Sequence, residues 1–172
     1  ACFLQHKLGA VNAAAFDISA ACTGFVYALN VAQAQIACGN FTNALVLGVD
    51  TLSRVTDYTD RGTCVLLGDG GGAVVLKAVP EGRGILSSYL RADGGGWELL
   101  YTPAGGSLYP ASEETVAARQ HYIRMNGSEV FKFAVRMIED CVTNALSRAG
   151  LTTDDVSLVV LHQANIRIIE AA

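Results

Sequence analysis

The stretch "ISAACTGFVYALNVAQAQIACGNFTNALVLGV", residues 18–49, contains no Asp, Glu, Lys or Arg, and it decides the predicted fold. An uncharged stretch of this length indicates an element that is covered on all sides. A membrane span is the alternative, but Asn and Gln residues interrupt the stretch, and Gly39-Asn40 is typical of a helix end. We therefore predict a buried helix from about Cys22 to Cys38, followed by a strand.

Five short apolar runs predict strands, because turn-forming residues surround most of them. Runs rich in Val and Leu indicate central strands that are buried on both faces, and hence a sheet sandwiched between helices. The runs are "AAAFDI" (13–18), "ALVLGVD" (44–50), "TCVLLGD" (63–69), "GAVVLKAV" (72–79) and "VSLVVLHQAN" (156–165).

The remaining sequence predicts an irregular segment and then an amphipathic helix. Residues 80–112 contain all 3 prolines and many glycines, which favours a boundary with irregular structure. Apolar residues then recur at helical spacing, with Ser128 as the predicted N-cap and Gly150 just past the helix end. The sequence starts without Met and stops inside the helix-like "RIIEAA" (167–172), so we expect a fragment.

Composition excludes several classes of function. The 172 residues are 51% hydrophobic, which is enough for a sizeable core. A net charge of −4 argues against a nucleic-acid binder, because no basic stripe is available for phosphates. The 5 cysteines form no CxxC pair, and their odd number leaves at least one thiol unpaired, which indicates a reducing, cytosol-like compartment.

Cys22 is the candidate nucleophile, because it lies at the first turn of the predicted helix. Unpaired backbone N–H groups and the positive end of the helix dipole favour a thiolate there, and the same N–H groups can stabilise an oxyanion. The alternative is a small core residue, since free cysteine is among the most buried residue types. Cys2, Cys38, Cys64 and Cys141 are interpreted as structural.

His162 follows an apolar run that predicts a strand, and ligands in α/β sheets bind at the carboxyl ends of strands. It is therefore placed to act as an acid, a base or a hydrogen-bond donor. The alternative is a hydrogen-bonded core histidine. The run "GDGGGA" (68–73) formally matches a dinucleotide fingerprint, but a predicted strand follows it, so we interpret it as a tight hairpin or close packing. No metal-ligand spacing occurs. Asp57, Asp60 and Asp69 could form an acid/base set, but we interpret them as turn residues and local salt-bridge partners.

Five motifs occur along the chain in a fixed order: "DISAACTGF" (17–25), "DRGT" (60–63), "GDGGGA" (68–73), "MNGSEVFKFAV" (125–135) and "HQANIRI" (162–168). Together they resemble β-ketoacyl-acyl carrier protein synthase III across nearly the whole chain. The cysteine motif and the histidine motif are specific, whereas the Gly-rich run is only supportive.

The resemblance implies an α/β, thiolase-like fold, in which two similar halves stack in five layers, and a homodimer. Residues 1–82 would be the C-terminal part of the first half, with the nucleophile helix. Residues 83–172 would be the N-terminal part of the second half, with the histidine strand. The same resemblance implies an acyltransferase of fatty-acid biosynthesis, in a bacterial cytoplasm or a plastid, with acyl-CoA as substrate and no cofactor, metal, membrane or nucleic acid involved.

By this resemblance, Cys22 accepts an acyl group, usually acetyl, from acyl-CoA as a thioester. Malonyl-acyl carrier protein then loses carbon dioxide, and the resulting carbanion attacks the thioester to give a β-ketoacyl product. Decarboxylation requires stabilisation of the enolate oxygen, which a neutral imidazole at His162 can provide by donating a hydrogen bond. The N–H of Cys22 would stabilise the tetrahedral intermediates.

Five further residues receive binding roles from the resemblance. Arg61 matches an arginine that stacks on or pairs with the nucleotide end of CoA, for which a planar guanidinium is suited. Phe131 would line the acyl and pantetheine channel, and Asn165 would lie near the thioester arm. Lys132 and Arg167 would meet the acidic carrier protein. The alternatives are core packing for Phe131 and a solvated or salt-bridged surface position for the others.

The sequence also departs from the family. It has no counterpart of the catalytic asparagine in an N-T-S motif, of the C-terminal Gly-rich loop, or of the N-terminal half-domain with its CoA-stacking aromatic residue. We therefore expect these 172 residues alone to be inactive or poorly folded. The alternatives are a relative in polyketide or quinolone biosynthesis, a synthase acting on two CoA thioesters, and a non-catalytic acyl-binding subunit. Retention of both Cys22 and His162 counts against the last.

Overall fold

The computed structural model describes residues 1–171, which form two compact units. The first unit comprises Ala1–Gly48 with Gly72–Pro80, and the second comprises Val49–Gly71 with the segment from Glu81 onward. The helices of the described residues are α1 (Cys2–Lys7), α2 (Gly24–Ala37), α3 (Glu113–Ala117), α4 (Gly127–Ala149) and α5 (Ile166–Ala171), and the strands are β1 (Asn43–Thr51), β2 (Asp69–Lys77), β3 (Leu100–Tyr101) and β4 (Arg124–Met125).

The uncharged stretch forms α2 and then β1, as predicted. A single 3₁₀ turn, Ala21–Thr23, precedes α2, so the regular helix starts two residues later than expected. Gly39 adopts a φ of 76°, a left-handed conformation that terminates the helix as the Gly39-Asn40 pair predicted. Strand β1 pairs with β2 in a two-stranded sheet.

Close packing between β1 and α2 requires a glycine at position 48. A Cβ atom added to Gly48 would lie 3.2 Å from both the Cβ and the Cδ2 of Phe25, closer than such atoms ordinarily approach. Phe25 follows Cys22 by three residues, in the first turn of α2. Gly48 therefore allows the start of α2 to lie directly against the strand.

We expect Gly48→Val to lower the free energy of unfolding of the full-length protein by about 1–3 kcal/mol, because the larger side chain must displace Phe25. Thermal melts measure the change. Gly72→Val is the matched control on β2, since a Cβ atom at Gly72 meets no atom within 4 Å. Equal melting temperatures for the two variants would contradict this account of the packing.

In the second unit, α4 is the predicted amphipathic helix with one correction at its start. Asn126 is the N-cap, and its side chain accepts a hydrogen bond from the N–H of Glu129, whereas Ser128 lies inside the helix. The prediction of Ser128 was wrong because Asn126, two residues earlier, is an equally good capping residue. Gly150 ends α4 with a φ of 68°, as predicted.

The segment before α4 is mostly irregular, as predicted for residues 80–112, but it is attached to the helix. The Ser87 hydroxyl donates to the Ala145 carbonyl over 2.6 Å. The Arg91 guanidinium pairs with the Asp140 carboxylate at 3.0 Å. Farther along, β3 and β4 pair antiparallel, and the Asn126 N–H donates to the Leu99 carbonyl. The first two contacts hold the segment against the second half of α4, and the last two fix the start of the helix.

Three of the five predicted strands do not form. The runs 13–18, 63–69 and 156–165 are irregular or turns, apart from Asp69, which begins β2. An apolar run becomes a strand only when a neighbour accepts its backbone hydrogen bonds, and no described segment pairs with these runs. In the last of these runs, Leu158 and Val160 are 78% and 80% exposed.

Burial is also lower than predicted. Val49 on β1 and Val75 on β2 are 65% and 69% exposed, so the sheet is not covered on both faces by the described residues. Likewise α2 is not enclosed on all sides, and Ala32 is its one buried residue. The sequence pattern predicts that the apolar faces of α2 and of the β1–β2 sheet are buried. The residues that would bury them are not among those of the two described units.

Two smaller predictions concern the Gly-rich run and membrane insertion. The run 68–73 leads into β2 and not into a helix, which agrees with rejecting a dinucleotide fingerprint. Its glycines lie largely in the strand itself, so the predicted hairpin there was wrong, and Gly70 has open space beside it.

Among residues 1–171, every helix is too short or too polar to cross a membrane.

Candidate active site

The predicted site residues are divided between the two units. Cys22 belongs to the first unit, whereas Arg61, the residues on α4, and those from His162 to Arg167 belong to the second.

Cys22 lies in the 3₁₀ turn that leads into α2, and its side chain is exposed. The preceding residue, Ala21, has a φ of 46°, a left-handed conformation that costs a non-glycine residue about 1–2 kcal/mol. The Thr23 hydroxyl donates to the Ala20 carbonyl over 2.8 Å, which closes the turn around the cysteine. Strained turns of this kind are concentrated at functional sites.

Exposure alone does not distinguish Cys22 from the other thiols. Cys2, Cys38 and Cys141 are exposed as well, and Cys64 is half-buried. Position distinguishes Cys22 from Cys38, Cys64 and Cys141, because it precedes the first turn of α2, where backbone N–H groups lack partners within the helix. Cys2 also lies at a helix start, in α1, but of the two only Cys22 follows a residue in the left-handed conformation.

Arg61 lies in an exposed turn, and the Asp60 side chain binds the two residues that follow Arg61. The Asp60 carboxylate accepts hydrogen bonds from the Gly62 N–H and the Thr63 hydroxyl, both over 2.9 Å. Thr63 is only 1% exposed, so the turn is anchored at this end. The Arg61 guanidinium itself forms no ion pair among residues 1–171, which leaves it available to an anionic ligand.

Asp57, just before this turn, is a buried carboxylate at 3% exposure. The Arg119 guanidinium donates to both of its oxygens, the Thr59 hydroxyl donates over 2.6 Å, and Arg124 lies 3.7 Å away. The hydrogen bonds from Arg119 and then from Thr59 hold the pKa of the Asp57 carboxyl well below its usual range. Asp57 is a turn and salt-bridge residue, as predicted, but its ion-pair partner is Arg119, 62 positions away, so the prediction of a local partner was wrong.

This lowered pKa has a consequence for stability at acid pH. A depressed folded-state pKa means that the charged form of Asp57 stabilises the fold above the ordinary aspartate pKa of about 4, and that this stabilisation is lost as pH falls below that value. We expect the gap in melting temperature between the full-length protein and Asp57→Asn to be constant above about pH 5 and to shrink below about pH 4. Of the hydrogen bonds to Asp57, Thr59→Val removes only the one from the Thr59 hydroxyl, so its melting temperature should lie between those of the unchanged protein and Asp57→Asn. A gap that persists unchanged to pH 3 would contradict the assignment.

The start of α4 carries the predicted channel and carrier-protein residues. Phe131 is half-buried. Lys132 is exposed, and its ammonium group lies 2.7 Å from the Glu129 carboxylate one helical turn earlier. This ion pair agrees with the alternative of a salt-bridged surface residue, although an exposed pair of this kind is weak enough to exchange for another carboxylate.

The residues from His162 to Arg167 lie in an exposed segment and the start of α5. His162 is exposed and follows irregular backbone. The prediction that it ends a strand was wrong, because residues 156–165 form no strand. The Asn165 side chain accepts a hydrogen bond from the Arg167 N–H over 3.0 Å, which caps α5. Asn165 is half-buried and Arg167 is exposed. Because α5 contacts α4, the two basic residues lie on neighbouring helices.

Sequence reasoning missed Arg119 and Arg124 as partners of Asp57. Arg119 and Asp57 are 62 positions apart, and no local pattern connects them. The one available signal was the pair of arginines that flank "QHYI" (120–123), an unusual density of cations before α4. Among residues 1–171, no cluster of His, Cys, Asp and Glu could hold a metal ion.

Comparison with known proteins identifies similar chains over the full length of this one. The family model described as 3-oxoacyl-[acyl-carrier-protein (ACP)] synthase III matches residues 16–94. The β-ketoacyl-[acyl-carrier-protein] synthase III of Symbiobacterium thermophilum is 56% identical over 172 residues, covering 100% of this chain and 52% of that protein. The protein of the same name from Caldanaerobacter subterraneus subsp. tengcongensis is 54% identical with the same coverage.

The structural comparison agrees. The crystal structure of 3-oxoacyl-[acyl-carrier-protein] synthase III from Aquifex aeolicus matches with a TM-score of 0.85 at 44% identity, covering 99% of this chain and 51% of that one. The predicted thiolase-like α/β fold class is thereby confirmed. The chain spans about half the length of the curated relatives that it matches.

Proposed function

Because the chain belongs to the 3-oxoacyl-[acyl-carrier-protein] synthase III family, we propose that the protein containing it catalyses the condensation that starts fatty-acid synthesis. Its substrates are an acyl-CoA, with acetyl-CoA as the first candidate, and malonyl-acyl carrier protein. The observation that supports the proposal most is that the Cys22 and His162 motifs both lie within a chain that is 56% identical, over all 172 residues, to a synthase of that name.

In the first step, the Cys22 thiolate attacks the thioester carbonyl of acyl-CoA. The resulting oxyanion is stabilised by backbone N–H groups at the start of α2, and its collapse expels CoA as a thiolate that takes up a proton. The exposed thiol and the tight turn at Ala21 support this role, because they present the sulfur at the tip of a fixed bend. The acyl group is then held on Cys22 as a thioester.

In the second step, malonyl-acyl carrier protein loses carbon dioxide and becomes an enolate. His162 donates a hydrogen bond to the enolate oxygen as charge develops there. The enolate carbon attacks the Cys22 thioester, and collapse of the tetrahedral intermediate expels the Cys22 thiolate. The products are β-ketoacyl-acyl carrier protein, carbon dioxide and free enzyme, and no cofactor is needed for the electron balance.

Binding is assigned to residues of the second unit. Arg61 contacts the nucleotide end of CoA, a role supported by its exposed and unpaired guanidinium. Phe131 lines the acyl and pantetheine channel, and Asn165 lies near the thioester arm. Lys132 and Arg167 meet acidic residues of the carrier protein, which their exposure on neighbouring helices supports. The protein acts as a homodimer in the cytoplasm or an equivalent compartment.

The direct test uses the full-length protein with acetyl-CoA and malonyl-acyl carrier protein. We expect acetoacetyl-acyl carrier protein, detected by mass spectrometry, in step with release of carbon dioxide. If longer or branched acyl-CoAs give a product and acetyl-CoA does not, the proposed condensation stands and only the acyl substrate differs from acetyl-CoA. If no acyl-CoA of such a panel gives a product, the condensing function is wrong.

A non-catalytic acyl-binding subunit is the alternative from another class. Competitive alkylation distinguishes it, because Cys22 and Cys38 are both exposed and differ in their position relative to α2. A nucleophile at Cys22 reacts faster than Cys38 with iodoacetamide, and acetyl-CoA protects it. Equal rates without protection would favour the inert subunit.

A further inference from the structure

The turn that carries Arg61 is held at its base by Asp57. The Asp57 carboxylate accepts hydrogen bonds from the Thr59 N–H over 3.0 Å and from the Thr59 hydroxyl over 2.6 Å. The Asp57 carbonyl accepts from the Asp60 N–H over 3.0 Å, and Asp60 in turn binds the residues after Arg61. One buried aspartate therefore determines the course of the backbone up to Arg61.

A second segment, residues 119–124, is bound to the same aspartate from a distant part of the sequence. Arg119 donates to both carboxylate oxygens of Asp57 from a left-handed backbone conformation with a φ of 55°. The Ile123 N–H donates to the Val55 carbonyl over 2.9 Å. The Arg124 guanidinium donates to the Arg119 carbonyl over 3.0 Å, which ties the segment back on itself.

Arg119 is additionally oriented by an aromatic ring. Its guanidinium lies 4.9 Å from the centre of the Tyr122 ring, so one face stacks on the aromatic while the edge donates to Asp57. A non-glycine residue keeps a left-handed conformation only where its surroundings impose it. Arg119 follows the end of α3, where its N–H donates to the Val116 carbonyl and the Gln120 N–H donates to the Thr115 carbonyl, both over 3.0 Å, and these bonds account for the conformation. The end of α3 therefore fixes the backbone of Arg119, and the contacts to Asp57 and Tyr122 fix its side chain.

Arg61 differs from Arg119 in having no such support for its side chain. It is exposed and forms no ion pair among the described residues. Its position relative to a ligand therefore depends on the backbone of the turn, and hence on Asp57 and the residue that fixes Asp57.

We propose that Arg119 is a positioning residue for acyl-CoA binding, which acts through Asp57 to hold the turn that presents Arg61 to the nucleotide end of CoA. The inference rests on the proposed function. It adds a residue that touches neither CoA nor the reacting atoms, and it assigns to the Asp57–Arg119 pair a role beyond stability.

The test compares two acetyl donors in the full-length protein: acetyl-CoA, which carries the nucleotide, and acetyl-pantetheine, which lacks it. We expect Arg119→Ala to raise KM for acetyl-CoA about tenfold while kcat changes little, because uniform binding energy is lost. With acetyl-pantetheine, Arg119→Ala and the unchanged protein should give the same kcat/KM. Arg119→Lys should restore part of the loss. Arg83→Ala, an exposed arginine outside these contacts, is the control.

The double variant Arg61→Ala with Arg119→Ala tests the proposed route. If Arg119 acts only through Arg61, the double variant has the same KM for acetyl-CoA as Arg61→Ala alone, since coupled sites are not additive. Fully additive effects, or an equal loss with both donors, would overturn the inference and leave Arg119 with a structural role. Arg119→Gln serves if Arg119→Ala does not fold, as judged by its melting curve.

Failure of the proposed function has a different signature. An unchanged protein that takes an acyl group from no acyl-CoA of the panel refutes the condensing activity, and the inference falls with it. If it takes a longer or branched acyl group instead of acetyl, the same comparison is made between that acyl-CoA and the corresponding acyl-pantetheine. An unchanged protein that is acetylated normally, together with an Arg119→Ala variant that has the same KM for acetyl-CoA, refutes the inference alone.

Discussion

We expect replacement of Cys22 by serine to abolish acetylation of the full-length protein by acetyl-CoA and to lower condensation by a factor on the order of 10³ or more. A hydroxyl at this position is far more weakly acidic than a thiol, so almost none of it is ionised to attack the thioester. The turn should keep its shape, because the Cys22 side chain is exposed and the substitution is nearly isosteric. Loss of activity would therefore report chemistry and not folding.

Peptide mass spectrometry after brief incubation with acetyl-CoA, without malonyl-acyl carrier protein, is the decisive measurement. The acetyl group should appear on the peptide that contains Cys22 and nowhere else. Cys38→Ser is the matched control, since Cys38 is also exposed in the first unit, and it should be acetylated like the unchanged protein. Acetyl on the Cys38 peptide, or undiminished labelling of Cys22→Ser, would remove Cys22 from the mechanism.

His162→Ala should separate the two half-reactions. Acetylation of Cys22 should continue, while decarboxylation of malonyl-acyl carrier protein falls by roughly 10²–10³, the typical effect of removing one hydrogen-bond donor to a developing oxyanion. Carbon dioxide release and the acetylated enzyme are measured in the same sample. Accumulation of acetyl-enzyme is the expected signature.

His121→Ala is the control for this experiment. His121 contacts the Thr115 hydroxyl through Nε2 at 3.0 Å, so its loss should lower the melting temperature without changing the ratio of the two half-reactions. If acetylation and decarboxylation fall together in His162→Ala, the histidine acts before the condensation step, and the assigned role is wrong.

A feature of the fold could be predicted from the sequence where the residues that indicate it are also the residues that form it. The ends of α2 and α4 are set by Gly39 and Gly150, whose left-handed conformations are local properties. Strand β1 was also predictable, because its pairing partner β2 follows within the described chain. The motif residues of the candidate site were named from short strings alone.

Features that depend on distant residues could not be predicted. The run 156–165 has the composition of a buried strand but lacks a partner among the described residues, so its backbone stays irregular. The pairing of Asp57 with Arg119 spans 62 positions and depends on how two loops meet. The N-cap of α4 was assigned to Ser128 rather than Asn126 because propensity does not resolve two good caps that are two residues apart.

The exposed run around Leu158, Val159 and Val160 has a practical consequence for anyone producing these residues by themselves. Its side chains are largely in solvent, and its backbone N–H and C=O groups are open to pairing with another molecule. Short β-prone segments with few charges and no proline are the usual nuclei of intermolecular cross-β assembly. An isolated preparation would therefore be expected to deposit in inclusion bodies, and a charged residue at Val160 would be the first substitution to improve its solubility.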